Sequence, residues 1–421
     1  MKTGPLRFIS LRYLLGRARE GGRYLRGAAG GIALSLIPII VTLMVADGMI
    51  RGITDRYLEL GTAHIQIYDF MNAPEIEDTK TALKGFDGLK GAWFERQGLG
   101  VLVGKKGKTG ATIRATESSF WEDEGSRRFL KTLSGSSNIE GPQDVILGEA
   151  LAESLGAEVG DTLRIMTLRV SSDGRNIPRL FPFTIKGIVS SGYRELDALW
   201  CIVGYDAGKR ILAPEMSSSY LMIKINEPYT GADDAALKIY KKLGPGYGIY
   251  TWKELQRSQY SSYESTRQLL LFIMALVVIV AAVNVSSATS MLAIERQRDI
   301  AVLKAFGTNP KGISRIFIWG AFLTGITGGI IGIALGLGIG SAINPIIHGL
   351  EKALGFFSAL FHGGEVKILD PGYYLENIPL VVDWKAVFII GIGTTLMSML
   401  ASWIPARRAG AVPPIELLRK Y

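Results

Sequence analysis

The chain has 421 residues, 48% of them hydrophobic, with 47 Lys and Arg against 38 Asp and Glu and a net charge of +9. Its mean hydropathy of +0.23 is too polar for a pure membrane bundle and too apolar for an ordinary soluble enzyme, so a few membrane spans plus a large polar part are expected. The basic residues cluster beside the apolar runs, as membrane topology dictates, which argues against nucleic acid as a partner, and the single cysteine, Cys201, excludes an intrachain disulfide and reads as a small core residue.

Residues 1–26 carry seven basic residues and one acid, Glu20, with Phe8, Leu11, Leu14 and Leu15 at helical spacing. This reads as an amphipathic helix on the cytoplasmic membrane surface. The apolar run over 27–50 is longer than the core of a signal peptide and no A-x-A-like site closes it, so it reads as a retained first span. In it Gly27 and Gly31 would allow close helix packing and Pro38 would kink the helix.

Residues 51–267 form a hydrophilic insert of short alternating stretches, among them 64–68, 101–103, 111–116, 162–170, 183–189 and 220–226, with helical patterns at 149–155 and 232–243. An α+β domain is expected. Neither 268–294 nor 316–343 contains Asp, Glu, Lys or Arg, and both are long enough to cross a bilayer. A fourth span follows at 384–405, where Trp384 and Trp403 stand about 28 Å apart along a helix and would sit in the two interfacial belts. The third span carries Gly325, Gly328, Gly329, Gly332, Gly336 and Gly340, a small-residue face for a neighbouring helix, and Asn284 in the second span is placed for an interhelical hydrogen bond. The uncharged run continues past the third span, with Asn344-Pro345 as the expected break and an interfacial helix within 344–383.

Between the second and third spans lies 295–315, with five basic residues; the 406–421 tail has four, and 344–383 has two against five acids. The positive-inside rule then puts both termini and 295–315 in the cytoplasm and the insert outside. A charged cytoplasmic helix between two spans is either a lever for an external motor or an ordinary loop, and composition leaves both open. Catalytic motifs are missing. Leu102–Thr109 (LVGKKGKT) lacks the first glycine of a phosphate loop and reads as a basic hairpin; the three histidines have no metal-ligand spacing; no G-x-S-x-G or H-E-x-x-H occurs. The acidic run Glu122–Glu124 reads as solvated.

Several stretches resemble the FtsX/MacB-type ABC permeases, and within them the membrane subunits of lipoprotein-releasing (LolC/LolE-type) systems. Arg298–Gly340 is similar to the family's coupling helix and glycine-rich third span. Leu400–Tyr421 is similar to its S-x-x-P-A-x-R-A-x-x-x-x-P ending, Arg7–Arg17 and Leu60–Tyr68 to its start, and Val145–Met166 and Phe183–Asp197 to its outer domain. The last third, including Pro345–Gly355, looks more LolE-like.

The resemblance implies a four-span helical membrane protein with a porter-like and a sabre-like subdomain between spans one and two, located in the cell inner membrane. Its partners would be cytoplasmic LolD-type ATPase subunits that bind ATP and Mg, a second permease, a lipoprotein substrate, a LolA-type periplasmic carrier and membrane lipids. This chain would be non-catalytic and hold no cofactor or metal. The ATPase would grip Glu295, Arg296, Arg298, Asp299, Leu303, Lys304 and Gly307. Tyr373 and Tyr374 match an aromatic pair that lines the family's acyl-chain cavity, with Met44, Met49, Leu270 and Met274 as neighbours; plain packing or lipid contact is the open alternative for each. A carrier-gripping hook would fall near Ser171–Arg179. The alternatives are a MacB-like peptide or drug exporter, which usually carries its own ATPase, and an FtsX-like regulator of a wall hydrolase, which tends to have a smaller outer domain.

Overall fold

The computed structural model describes residues 22–69, 76–171, 173–360 and 378–411. The expected surface helix before residue 22, Tyr373, Tyr374 and the tail beyond 411 lie outside the described residues. The chain divides into two compact units, one made of the apolar helices and one, Met49–Ser262, of mixed α/β structure.

Among the described residues, four helices are long and apolar enough to cross a membrane. The first, α1, runs Gly22–Arg56 without interruption at Pro38 and passes into a π-helical turn at Tyr57–Gly61.

Among the described residues the α/β unit contains ten strands. Its first half follows a βαββαβ order: β1 (Ile65–Asp69), α2 (Ile76–Ala82), β2 (Leu89–Val103), then, after a long excursion, β9 (Ser217–Ile225), α6 (Ala232–Leu243) and β10 (Tyr247–Thr251). These strands lie side by side as β10-β1-β9-β2, all antiparallel, which is the ferredoxin-like arrangement. Alternation places Leu221, Ile223 and Ile225 of β9 with Ile65, Ile67, Phe94 and Ile239 in one core.

The excursion between β2 and β9 builds a second core. It holds β3 (Lys108–Thr116), α3 (Glu124–Phe129), β4 (Lys131–Gly135), β5 (Asp144–Gly148), α4 (Glu149–Leu155), β6 (Thr162–Val170), β7 (Asn176–Ser190), β8 (Trp200–Gly204) and α5 (Tyr205–Ile211). The pairings β2-β3-β8-β5-β7-β6 return to β2 and close a six-stranded ring. Every strand of the ring sends side chains inward: Leu102, Ile113, Val145, Leu163, Phe183 and Cys201 are all buried together, and Leu151, Leu155 and Ile211 join them from the helices. Closure removes the exposed edges that such a small sheet would otherwise present. The basic stretch Leu102–Thr109 is a hairpin, with Leu102 opposite Thr109 and Val103 opposite Lys108. One expectation is corrected. Asp123 is not a solvated acid: it accepts from Ser126 N–H at 2.9 Å as the N-cap of α3 and pairs with the buried Lys224.

After the single turn Trp252–Leu255 come the helices α7 (Arg257–Glu295), α8 (Gln297–Ala305), α9 (Pro310–Ser341), α10 (Ile343–Leu360) and α11 (Trp384–Ala411). With α1, the helices α7, α9 and α11 are the four spans. The break after the third span falls at Ala342, not at Asn344-Pro345. Proline is tolerated in a first helical turn, where its missing N–H has no partner to lose, so Pro345 opens the next helix instead of ending the last.

Candidate functional site

The connection between the second and third spans is built by local rules. Helix α8 closes with a Schellman arrangement: Thr308 N–H donates to Leu303 C=O at 3.0 Å and Gly307 N–H to Lys304 C=O at 2.9 Å. Gly307 adopts φ +82°, a left-handed conformation that glycine takes without steric penalty. Two residues later Asn309 caps the third span, accepting from Lys311 N–H at 2.9 Å, with Pro310 in the first turn. The reversal is therefore short and rigid.

One face of α8 is buried. Ile300 and Ala301 pack with Leu25 of the first span, Leu292 of the second, Ile313 and Phe317 of the third, and Ala406 and Ala409 of the fourth. The opposite face, at i, i+4 and i+8, presents Arg298, Val302 and Phe306, with Val302 51% and Phe306 84% exposed. Of the residues expected to meet a motor, Glu295, Arg298 and Gly307 are exposed, and Arg296, Asp299, Leu303 and Lys304 are half-buried, with Arg296 and Asp299 paired at 3.1 Å. Val302 and Phe306 were missed by the charge-led sequence reading; an isolated large apolar side chain on a polar helix was the available signal. Beside this helix a cleft of about 240 Å³ opens between Ile294, Gln297, Pro405 and Arg408.

The glycines of the third span serve two neighbours. A Cβ at Gly332 would stand 2.8 Å from Leu36 Cβ and 2.9 Å from Ala33 Cα; one at Gly336 would meet Ile40 at 2.8 Å, and one at Gly340 the Met44 Sδ at 2.6 Å. Gly328 meets Ala29 C=O at 2.6 Å and completes this four-residue ladder on the first span. Gly325 and Gly329 instead face the fourth span, at Thr395, Ser398 and Thr394. There Thr394, Ser398 and Ser402 form a buried small-residue seam, and Ser402 reaches Thr289 of the second span at 3.0 Å. That seam was legible as small residues four apart.

Other expectations are placed differently. Asn284 is exposed, on the same face as Val280 and Val283, and makes no interhelical bond among the described residues; its neighbour on the buried side is Val285. Gly27 and Gly31 face open space. Met44 is buried with Ile40 and Val387, whereas Leu270 and Met274 join the core formed by Leu36, Leu43 and Val285. Met44 and the pair Leu270 and Met274 thus fall in different core clusters. Ser171–Arg179 lies at the tip of the β6–β7 hairpin.

Sequence reasoning did not foresee the ion cluster at the opposite ends of the spans. Arg267 of the second span pairs with Asp47 of the first at 3.1 Å and with Asp383 at 2.7 Å. Asp383 also caps the fourth span, accepting from Lys385 N–H at 3.0 Å. The pairing ties the ends of three spans together.

Four spans, a large insert between the first two and a docked helix between the next two define a membrane protein of the permease class. A family model described as FtsX-like permease C-terminal matches residues 271–414, and one described as MacB-like periplasmic core domain matches residues 27–237. The chain belongs to this FtsX/MacB family of ABC transporter permeases. It is 26% identical over 421 residues to the lipoprotein-releasing system transmembrane protein LolC of Neisseria meningitidis serogroup B, covering 98% of each chain. It is 27% identical to LolC of Xylella fastidiosa over 98% of each chain. To LolE of Haemophilus influenzae it is 24% identical, covering 98% of this chain and 99% of that one. These identities do not single out the LolE type expected from the last third of the chain.

Proposed function

We propose that this chain is the permease subunit of an ABC transporter that extracts lipoproteins from the inner membrane and passes them to a periplasmic carrier. The observation that carries the reading is the packing of α8, whose buried face touches all four spans at once. A cytoplasmic ATPase that binds ATP and Mg and grips the exposed face would move the whole bundle through a single helix. The side chains for that grip are Arg298, Val302 and Phe306, a cation and two apolar groups of the kind that dominate protein interfaces. In this reading both termini are cytoplasmic and the α/β unit is periplasmic, in keeping with the five basic residues of 295–315. The likeness to LolC and LolE over the full length supports the lipoprotein as substrate and a second permease as partner. In this reading the chain itself is a non-catalytic subunit.

The test is reconstitution with the ATPase and a triacylated lipoprotein in proteoliposomes, with ATP-dependent release to the soluble carrier as the expected result. Phe306→Asp, and charge reversal at Arg298 and Asp299, should weaken ATPase capture about tenfold or more while leaving membrane insertion unchanged. Capture without any release would sink the transport reading and favour a regulator. Unchanged capture would sink the assignment of α8.

A further inference from the structure

Away from α8, a cavity of about 870 Å³ opens between the third and fourth spans. It exists because small residues stand where side chains would close it: Gly329 and Gly391 both line it, and a Cβ at Gly391 would already come within 3.1 Å of Ile333 Cδ1. Its walls are hydrocarbon, from Phe322 and Ile330 on one span to Phe388 and Leu396 on the other. The polar group at depth, Thr395, spends its hydroxyl on Gly391 C=O of its own helix at 2.9 Å. Nothing inside would hold water, which needs two to four polar partners. The body of any occupant is therefore apolar.

The length of the groove narrows the choice. Trp384 and Leu396 are twelve residues apart on one helix, roughly 18 Å at 1.5 Å per residue, against about 15 Å for the hydrocarbon of one leaflet. The groove thus runs from an interface to the middle of the bilayer. Its mouth is cationic and aromatic. Lys385 is exposed there, with no carboxylate in ion-pair range of its ammonium among the described residues, and Trp384 is 67% exposed. The nearest acid in sequence, Asp383, is already engaged by Arg267 at 2.7 Å and by backbone N–H groups.

We propose that this groove is a site for one anionic phospholipid from the leaflet on the side of the large insert. One acyl chain lies along Ile330 and Phe388 with its end near Phe322 and Leu396, and the phosphate meets Lys385. Trp384 sits at the headgroup level, as interfacial tryptophans do. The site rests only on the chain crossing the membrane and is independent of which substrate the permease moves. A lipid held there would be a structural ligand of the third and fourth spans.

The full-length chain, in nanodiscs of phosphatidylglycerol and phosphatidylethanolamine, is irradiated with a phosphatidylglycerol carrying a diazirine near the acyl terminus. Peptides containing Phe322 and Leu396 should be labelled, and native mass spectrometry should show one phosphatidylglycerol retained per chain. Lys385→Glu should lower that retention roughly fivefold or more, the scale of one interfacial charge, and Lys385→Arg should keep it. Gly391→Leu, which fills the groove, should abolish labelling; because it could also disturb packing, the exposed Lys385 variants carry the decision. Equal labelling by both phospholipids, unaffected by Lys385→Glu, would mean annular contact only and overturn the proposal. So would retention of a triacylated lipopeptide in place of phospholipid, or a disulfide between two copies through Phe388→Cys, which would show the groove covered by a second chain.

Discussion

Arg114 and Glu95 lie inside the α/β unit, 1% and 0% exposed, joined by two parallel hydrogen bonds of 2.6 and 2.8 Å. The guanidinium also faces the rings of Trp200 at 4.7 Å and Phe120 at 5.4 Å. Removing one partner strands a buried charge. Glu95→Ala should therefore cost about 3–5 kcal/mol, read as a lower denaturation midpoint. Glu95→Leu combined with Arg114→Met should recover most of that loss; a double variant no better than the single would show that the pair does more than cancel charge. A second buried acid behaves differently. Asp197 accepts from Ser190 Oγ at 2.9 Å and Ser191 N–H at 2.8 Å, yet burial outweighs these bonds and raises its pKa above the usual aspartate value. The folded state then binds the proton more tightly than the unfolded one. Its contribution to stability is fully present below the unfolded value and is lost as pH rises through the folded one. The melting temperature of the wild type relative to Asp197→Asn should rise as pH falls from 7 toward 4; a flat difference would refute the shift. Neither pair was visible in the sequence, since Glu95 and Arg114 are nineteen residues apart and only the β2–β3 register, with Gln97 opposite Arg114, brings them together.

Among the elements, the third span shows what a glycine is for. Gly332 and Gly338 are both helical, but a Cβ at Gly332 would meet Leu36 and the Ala33 backbone at under 3 Å, while one at Gly338 meets nothing within 4 Å. Alanine favours a helix over glycine by up to about 1 kcal/mol, so Gly338→Ala should be neutral or stabilising. Gly332→Ala should lose about 1–3 kcal/mol through overpacking. Unfolding of the full chain in mixed detergent micelles separates the two, and equal behaviour would mean that the ladder on the first span is not tightly packed. The spacing of the glycines was readable in advance; that the ladder divides between two helices was not, because a one-dimensional period does not say which neighbour it faces. The same holds for α8. Its charges were evident, whereas Ile300 and Ala301 become a hub only where four spans converge.

For the whole molecule, the second span leaves one side uncovered. Leu269, Phe272, Leu276, Val280 and Val283 are exposed along it, and Asn284 lies among them near the middle of the span. An amide facing lipid is unfavourable, and a helix from another permease would relieve it. Asn284→Leu should weaken association of permeases about fivefold, the effect of roughly 1 kcal/mol, measured by energy transfer on diluting proteoliposomes with lipid. Unchanged association would leave that face to lipid.

The sequence by itself determined the four spans, the α+β character of the insert and the presence of a charged connection between the middle spans. These follow from the runs of apolar residues, the alternation of side chains and the placement of charge, all of which are local. It also carried the family, through stretches spread along the chain. Only the tertiary structure decided that the insert closes a six-stranded ring beside a ferredoxin-like sheet, that Arg267 clasps Asp47 and Asp383, and that Asn284 faces outward. Each depends on residues distant in the chain meeting in space, and pairings of that kind are set by packing and register, not by local pattern. The short helix Gln297–Ala305 draws on both: its C-terminal stop is written in Gly307, and its reach into all four spans comes from the fold.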